Sequence, residues 1–182
     1  MSILKVSRMG HPVLRKKTKA LDKATVRTPA IQKLIDDMME TMDEYHGVGL
    51  AAPQVHEDIR LFVAALDMAR GDEPTPPIAL INPEITPIGN EMVDDWEGCL
   101  SIPDIRGKVP RHREIKVRGL DRDGERIELR MRGFSARIIQ HETDHLDGIL
   151  FLDRMTAFET LTFLDEYSRY WVKNDDDEEE EE

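Results

Sequence analysis

Phe134-Ser135-Ala136-Arg137-Ile138-Ile139-Gln140-His141-Glu142-Thr143-Asp144-His145-Leu146-Asp147, followed by Gly148, is the stretch on which the fold turns. Its spacing predicts a helix from about Phe134 to Asp147, with Gly148 as the stop. Phe134, Ile138, His141 and His145 share one stripe, and Ile139, Glu142 and Leu146 lie beside it. The histidine face is therefore the apolar face, the one a folded chain buries. Two buried imidazoles need partners, and a shared metal ion satisfies both. Residues at i and i+4 stand about 40° apart around a helix and about 6 Å apart along it, so both rings can reach one ion. Glu142, next to His141, is placed to handle a water at such an ion. A helix that merely carries two surface histidines and two acids would show the same five letters, so the surroundings must decide.

Working outward, an open metal site wants three protein ligands and one free position. The obvious soft third ligand is Cys99, in Trp96-Glu97-Gly98-Cys99-Leu100-Ser101. A lone cysteine also serves as a small buried apolar residue. The Glu97–Gly98 approach and the Ser101–Ile102–Pro103 exit suggest a turn that exposes backbone to a ligand. A third segment, Gly47-Val48-Gly49-Leu50-Ala51-Ala52-Pro53-Gln54, loosely matches a dinucleotide fingerprint. That reading fails because the segment follows a helix and runs into Pro53, where the fingerprint follows a strand and opens a helix. Two readings stay open: a helix end running into a small-residue turn, or a close-approach backbone with Gln54 as an amide donor.

The remaining elements fix the class. Thr28 caps a first helix, Pro29 takes its first position and Gly47 follows its last turn. Ile31, Leu34, Ile35, Met38, Met42 and Tyr45 fall on its inner face. Ile59–Leu66 reads as a buried strand, and Asp67–Pro77 as a Pro-rich loop. Short extended pieces follow at Ile78–Ile81, Glu84–Ile88 and Met92–Trp96. Glu114–Asp121 and Glu125–Arg132 form a hairpin turning at Asp123–Gly124. A last amphipathic helix spans roughly Ala157 to Val172. This order predicts an α+β fold: a single compact domain, residues 1–173, with antiparallel strands packed around the metal-binding helix.

Composition narrows the function. The formal charge is −12, but Asp175–Glu182 are eight consecutive acids, leaving 29 acids against 25 bases before them. Residues 174–182 read as a disordered acidic tail on a nearly balanced body. Direct DNA binding is disfavoured. The longest apolar run, Leu61–Leu66, is too short to cross a membrane. A single cysteine excludes an internal disulfide, and Met1–Gly10 lacks the apolar stretch of a signal peptide, so a cytoplasmic location is expected.

Together and in this order, GVGLAAPQ (Gly47–Gln54), EGCLS (Glu97–Ser101) and HETDH (His141–His145) resemble the three signature motifs of the peptide deformylases. The likeness runs from about Arg8–Leu14 to Asp153–Met155, with Thr143 standing where the family has an apolar residue. The resemblance implies removal of the formyl group from the N-terminal formylmethionine of newly made proteins. It implies that Cys99, His141 and His145 hold one divalent metal ion, most often Fe2+, with Zn2+, Ni2+ or Co2+ also suited to this donor set. Glu142 would be the general base, and Gln54 and the backbone N–H of Leu100 would donate to the oxyanion. Val48, Gly49 and Gly98 would pair with an extended peptide. Phe134, Arg137 and Ile138 would border the methionine pocket, the Arg137 stem lining the wall with its charge in water. Arg111 would pair with Asp144 to hold the histidine helix. The partners implied are nascent N-formylmethionyl peptides and, transiently, the ribosome. Family members that dock through a basic C-terminal helix differ from this chain, which ends in acids.

Two other readings compete. Zinc metallopeptidases share HExxH but take a third ligand downstream, for which Glu159 and Glu166 are available. A metal-stabilised interaction module would close its site with a fourth protein ligand.

Overall fold

Leu61-Phe62-Val63-Ala64 is apolar at every position because the strand it forms is covered on both faces. The computed structural model describes residues 2–66 and 75–172. Within them the helices are α1 (Lys23–Val26), α2 (Pro29–Glu44), α3 (Gly133–Leu146), α4 (Phe151–Arg154) and α5 (Leu164–Tyr170). The strands are β1 (Gly49–Ala51), β2 (Leu61–Ala64), β3 (Ile78–Pro87), β4 (Met92–Cys99), β5 (Ile102–His112), β6 (Glu114–Leu120), β7 (Arg126–Arg132) and β8 (Thr162–Phe163). They form two antiparallel sheets, β1-β2-β3-β6-β7 and β4-β5-β8.

Side-chain alternation assigns each face of the larger sheet to one helix. Leu61, Val63, Ala79 and Ile81 pack with Ile35, Met38 and Met42 of α2. Phe62, Ala64, Leu80, Ile115 and Val117 pack with Ala136, Ile138, Ile139 and Leu146 of α3. Thus α3 lies between the larger sheet and β5 of the smaller one. A third cluster, containing Leu14, Cys99, Ile102, Val109 and Phe151, seals the other side of the histidine helix. The architecture is the α+β domain expected, with antiparallel sheets around α3.

Several details differ from the sequence reading. The pieces around Pro83 are one strand, β3, interrupted by a bulge between Ile81 and Glu84. At that bulge Asn82 adopts φ 52°, and its side chain bonds both backbone groups of Leu21. The exit after Ser101 is a tight hairpin: Cys99 pairs with Ile102, and β5 continues to His112 despite Pro103 and Pro110. Thr28 sits at the start of α2, but its hydroxyl donates to the Thr25 carbonyl and does not cap the helix. The C-terminal helix is α5 alone, Leu164–Tyr170. Thr162 and Phe163 leave the helical path because their backbone completes the edge of β5, opposite Arg106 and Ile105. The acidic tail and most of the Pro-rich loop, residues 67–74, lie outside the described residues.

Candidate metal centre and cavity

His141 and His145 lie one turn apart on α3, their ring centroids 4.9 Å apart, and both are buried. The β4–β5 hairpin brings Cys99 against them, with Sγ 3.3 Å from His145 Nε2. One donor atom from each of the three lies within 4.8 Å of the others. Tetrahedral metal–sulfur and metal–nitrogen bonds of about 2.3 and 2.0–2.1 Å would set such donors roughly 3.3–3.6 Å apart, a range the Cys99–His145 pair already meets. The donor set, two imidazoles and a thiol, suits one divalent ion, so the residues present fit a metal site. Glu159 is exposed, and neither it nor Glu166 joins the cluster.

Glu97 is the residue that sequence reading passed over. Its Oε2 lies 2.8 Å from His141 Nδ1, which leaves Nε2 to face the cluster. The same carboxylate accepts from Arg111 Nε and Nη2 at 2.9 and 3.0 Å, and from Arg137 Nη1 at 2.8 Å. Burial would push the Glu97 carboxyl up, but the His141 and Arg111 hydrogen bonds hold it well below the usual carboxylate range. A signal did exist: Glu97 stands two residues before Cys99 on a strand, the spacing that puts both on one face. Arg111 also donates to Asp144 on α3, as expected, and Arg154 grips the same carboxylate at 2.7 Å.

Arg137 corrects the sequence reading. It borders the cavity, but its guanidinium is buried, bonding Glu97 and the carbonyls of Val93 and Val109. Its charge is not in water: it is matched by the Glu97 carboxylate and by strand carbonyls that accept its N–H groups.

Glu142 lines the same cavity as Cys99 and His141, with Oε2 unpartnered. Burial is the main reason its carboxyl is pushed up to about 7, and the nearby Glu97 charge adds to it. Gly49 makes room for it: a Cβ at Gly49 would collide with the Glu142 carboxylate. Gln54 is fixed as a donor, because its Oε1 already accepts from Ala51 N–H at 2.8 Å. Its Nε2 points at Ser101 Oγ (3.2 Å) and Cys99 Sγ (3.6 Å). The small-residue segment is therefore a close-approach backbone as well as a helix exit.

These groups open into a cavity of about 770 Å³ that also takes in Val48, Gly98, Leu100, Phe134 and Ile138. Phe134 stands at the rim, 61% exposed, whereas Ile138 is buried. The cavity lies between β1 and β4, each the edge strand of its sheet. The Val48 carbonyl is already taken by Ala65 N–H. The Arg106 guanidinium lies across Gly98, where a Cβ would meet it.

A helix-borne pair of histidines with an adjacent buried acid, facing a strand-borne thiol in an α+β fold, defines the class: a metal-dependent hydrolase. The profile of the polypeptide deformylase family matches residues 3–160. Peptide deformylase 2 of Nostoc sp. is 40% identical over 181 residues, covering 94% of this chain and 97% of that protein. The crystal structure of peptide deformylase from Thermotoga maritima superposes with a TM-score of 0.77 at 41% identity, covering 86% of this chain and 100% of that one. A Met-Ala-Ser-bound class I type b peptide deformylase from Acinetobacter baumannii gives 0.78 at 39%, covering 85% and 100%. The chain belongs to the polypeptide deformylase family, enzymes that remove the formyl group from N-terminal formylmethionine.

Proposed function

We propose that this chain performs the family reaction through the groups just described, on nascent N-formylmethionyl peptides. The observation that carries the reading is the gathering of Cys99, His141 and His145 next to Glu142, whose buried Oε2 has no partner. Cys99, His141 and His145 hold one divalent ion, which when bound polarises a carbonyl oxygen and acidifies water. Iron(II) is the ion proposed for the native protein, on the resemblance to the deformylases; the thiolate and two imidazoles accept it, as they would zinc, nickel or cobalt.

Glu142 takes a proton from the attacking water and delivers one to the departing amine. The Gln54 amide and the Leu100 backbone N–H donate to the oxygen that gains charge on the formyl carbon. The edges of β1 and β4 support an extended peptide between them by strand addition at Val48, Gly49 and Gly98. Phe134, Ile138 and the Arg137 stem border the methionine side chain. The Met-Ala-Ser bound to the Acinetobacter baumannii relative, a peptide that begins with methionine, supports this substrate class.

Among the described residues no helix is long and apolar enough to cross a membrane. A cytoplasmic location and transient contact with the ribosome follow from the substrate, with no direct DNA binding. Residues 1–173 form the catalytic domain and 174–182 an appended acidic tail. Glu142→Ala is expected to keep its metal and lose at least about a hundredfold in formate release from a formyl-Met peptide. Retained release by that variant would sink the assigned base.

A further inference from the structure

The profile match ends at residue 160, yet the chain continues into β8 and α5 and folds back onto the cavity. Three observations tie this segment to the site. Phe163 and Thr162 pair with Ile105 and Arg106, so β8 extends the smaller sheet alongside the cavity. The Thr160 hydroxyl accepts from Lys108 N–H at 3.1 Å, fixing the approach to β8. On β4, Trp96 meets Tyr167 and Trp171 edge-on, with ring centroids at 4.8 and 5.3 Å, which holds α5 against that strand. Leu164, the first residue of α5, consequently lines the cavity together with Trp96 and Arg106. All three are partly buried, so each has a covered side and a side open to a ligand.

We infer that the β8–α5 segment builds an outer apolar wall of the peptide site, with Leu164 and Trp96 selecting apolar side chains in the residues that follow formylmethionine. The inference rests on the deformylase reading and deepens it. The reacting end is fixed at Glu142 and Gln54, and Phe134 and Ile138 border the methionine side chain. A peptide lying between the edges of β1 and β4 therefore carries its later residues away from Glu142, along a cavity whose β4 side ends at Trp96 and Leu164. Leu164, the part of the Trp96 indole left uncovered by Tyr167, Trp171 and the Lys108 ammonium, and the aliphatic stem of Arg106 offer such a side chain dispersion contacts and no buried unpaired polar group. Tyr167 and Trp171 act through Trp96 and are positioning residues.

The test compares formyl-Met-Ala with formyl-Met-Leu-Phe, using formate release by the full chain loaded with metal. For Leu164→Ala, the ratio of kcat/KM on the longer apolar peptide to that on the short one should fall about tenfold. KM on the longer peptide should carry the change and kcat should hold, since the wall touches no reacting atom. Leu164→Met, which restores the apolar volume, should recover most of the ratio. Tyr167→Ala should lower it in the same direction by releasing α5 from Trp96. An unchanged ratio in Leu164→Ala, with normal turnover, would overturn the inference alone. No formate from the unaltered chain on either peptide would overturn the deformylase reading and the inference with it.

Discussion

Gly49 and Glu142 come from opposite ends of the chain's functional sequence, yet the conformation of each depends on the other. A Cβ at Gly49 would meet the Glu142 carboxylate and its neighbouring carbons, all side-chain atoms. Gly49→Ala is therefore expected to displace Glu142 more than the backbone of β1, which is paired residue by residue with β2. Its predicted signature is selective: metal content and melting temperature close to those of the parent, with kcat down about tenfold to a hundredfold, because an acid–base group misplaced by about 1 Å loses that order of rate. Metal analysis beside formate-release kinetics checks this, and unchanged kcat would show that Glu142 has room to spare. Arg137 carries the opposite lesson at the same scale. Its i−4 position from His141 put it on the cavity side, and so much was legible. That its charge would be buried on Glu97 and strand carbonyls was not, because those partners lie about 28 to 44 residues away along the chain.

Among the elements, what was legible tracks how local the determinants are. Helices α2 and α3 declared themselves through one-sided apolar spacing, and the β6–β7 hairpin through its Asp123–Gly124 turn. Strand β5 did not, since Pro103, Gly107 and Pro110 break its pattern. Met155 packs where a Cβ at Gly107 would stand, a contact no local window contains. The C-terminal helix was overextended because apolar spacing alone cannot show that residues 162 and 163 will satisfy a sheet edge. Position by position, the Cys99–His141–His145 cluster was legible from two motifs, while the role of Glu97 in linking the elements that carry them was not. The link itself is testable. Arg111 on β5 holds Glu97 of β4 and Asp144 of α3, and all three side chains are buried. Arg111→Ala leaves two buried carboxylates short of a cation, a loss that costs about 3–5 kcal/mol. A drop in melting temperature and weaker metal retention are expected together, and Arg111→Lys should not restore either, lacking the planar fork that spans both acids. Unchanged stability in Arg111→Ala would mean that Arg137 and Arg154 suffice.

For the whole molecule, the question is whether the metal holds the fold or the fold holds the metal. Two of the three apolar clusters, α2 on one face of the larger sheet and α3 on the other, form without any of the three candidate ligands; only the third includes Cys99. Fully buried side chains such as Phe62, Leu80, Ile35 and Ile139 each contribute about 1.5–3 kcal/mol by leaving water, and none of them is a candidate ligand. This differs from a small structural zinc module, whose metal supplies most of the folding free energy. Chelation is therefore expected to abolish formate release while leaving far-ultraviolet circular dichroism native, with a melting temperature lowered by a few degrees at most. Readdition of a divalent ion should restore turnover. Chelator-induced unfolding would instead assign the site a structural role and return the interaction-module reading. The same preparation tests the identity of the ion, because a thiolate and iron(II) together make a site open to oxidation. Protein purified without air should carry iron and lose activity on exposure, whereas zinc with full, air-stable activity would refute iron as the native metal. Cys99 is the only cysteine in the chain, so any thiol oxidation that accompanies the loss must occur at this centre.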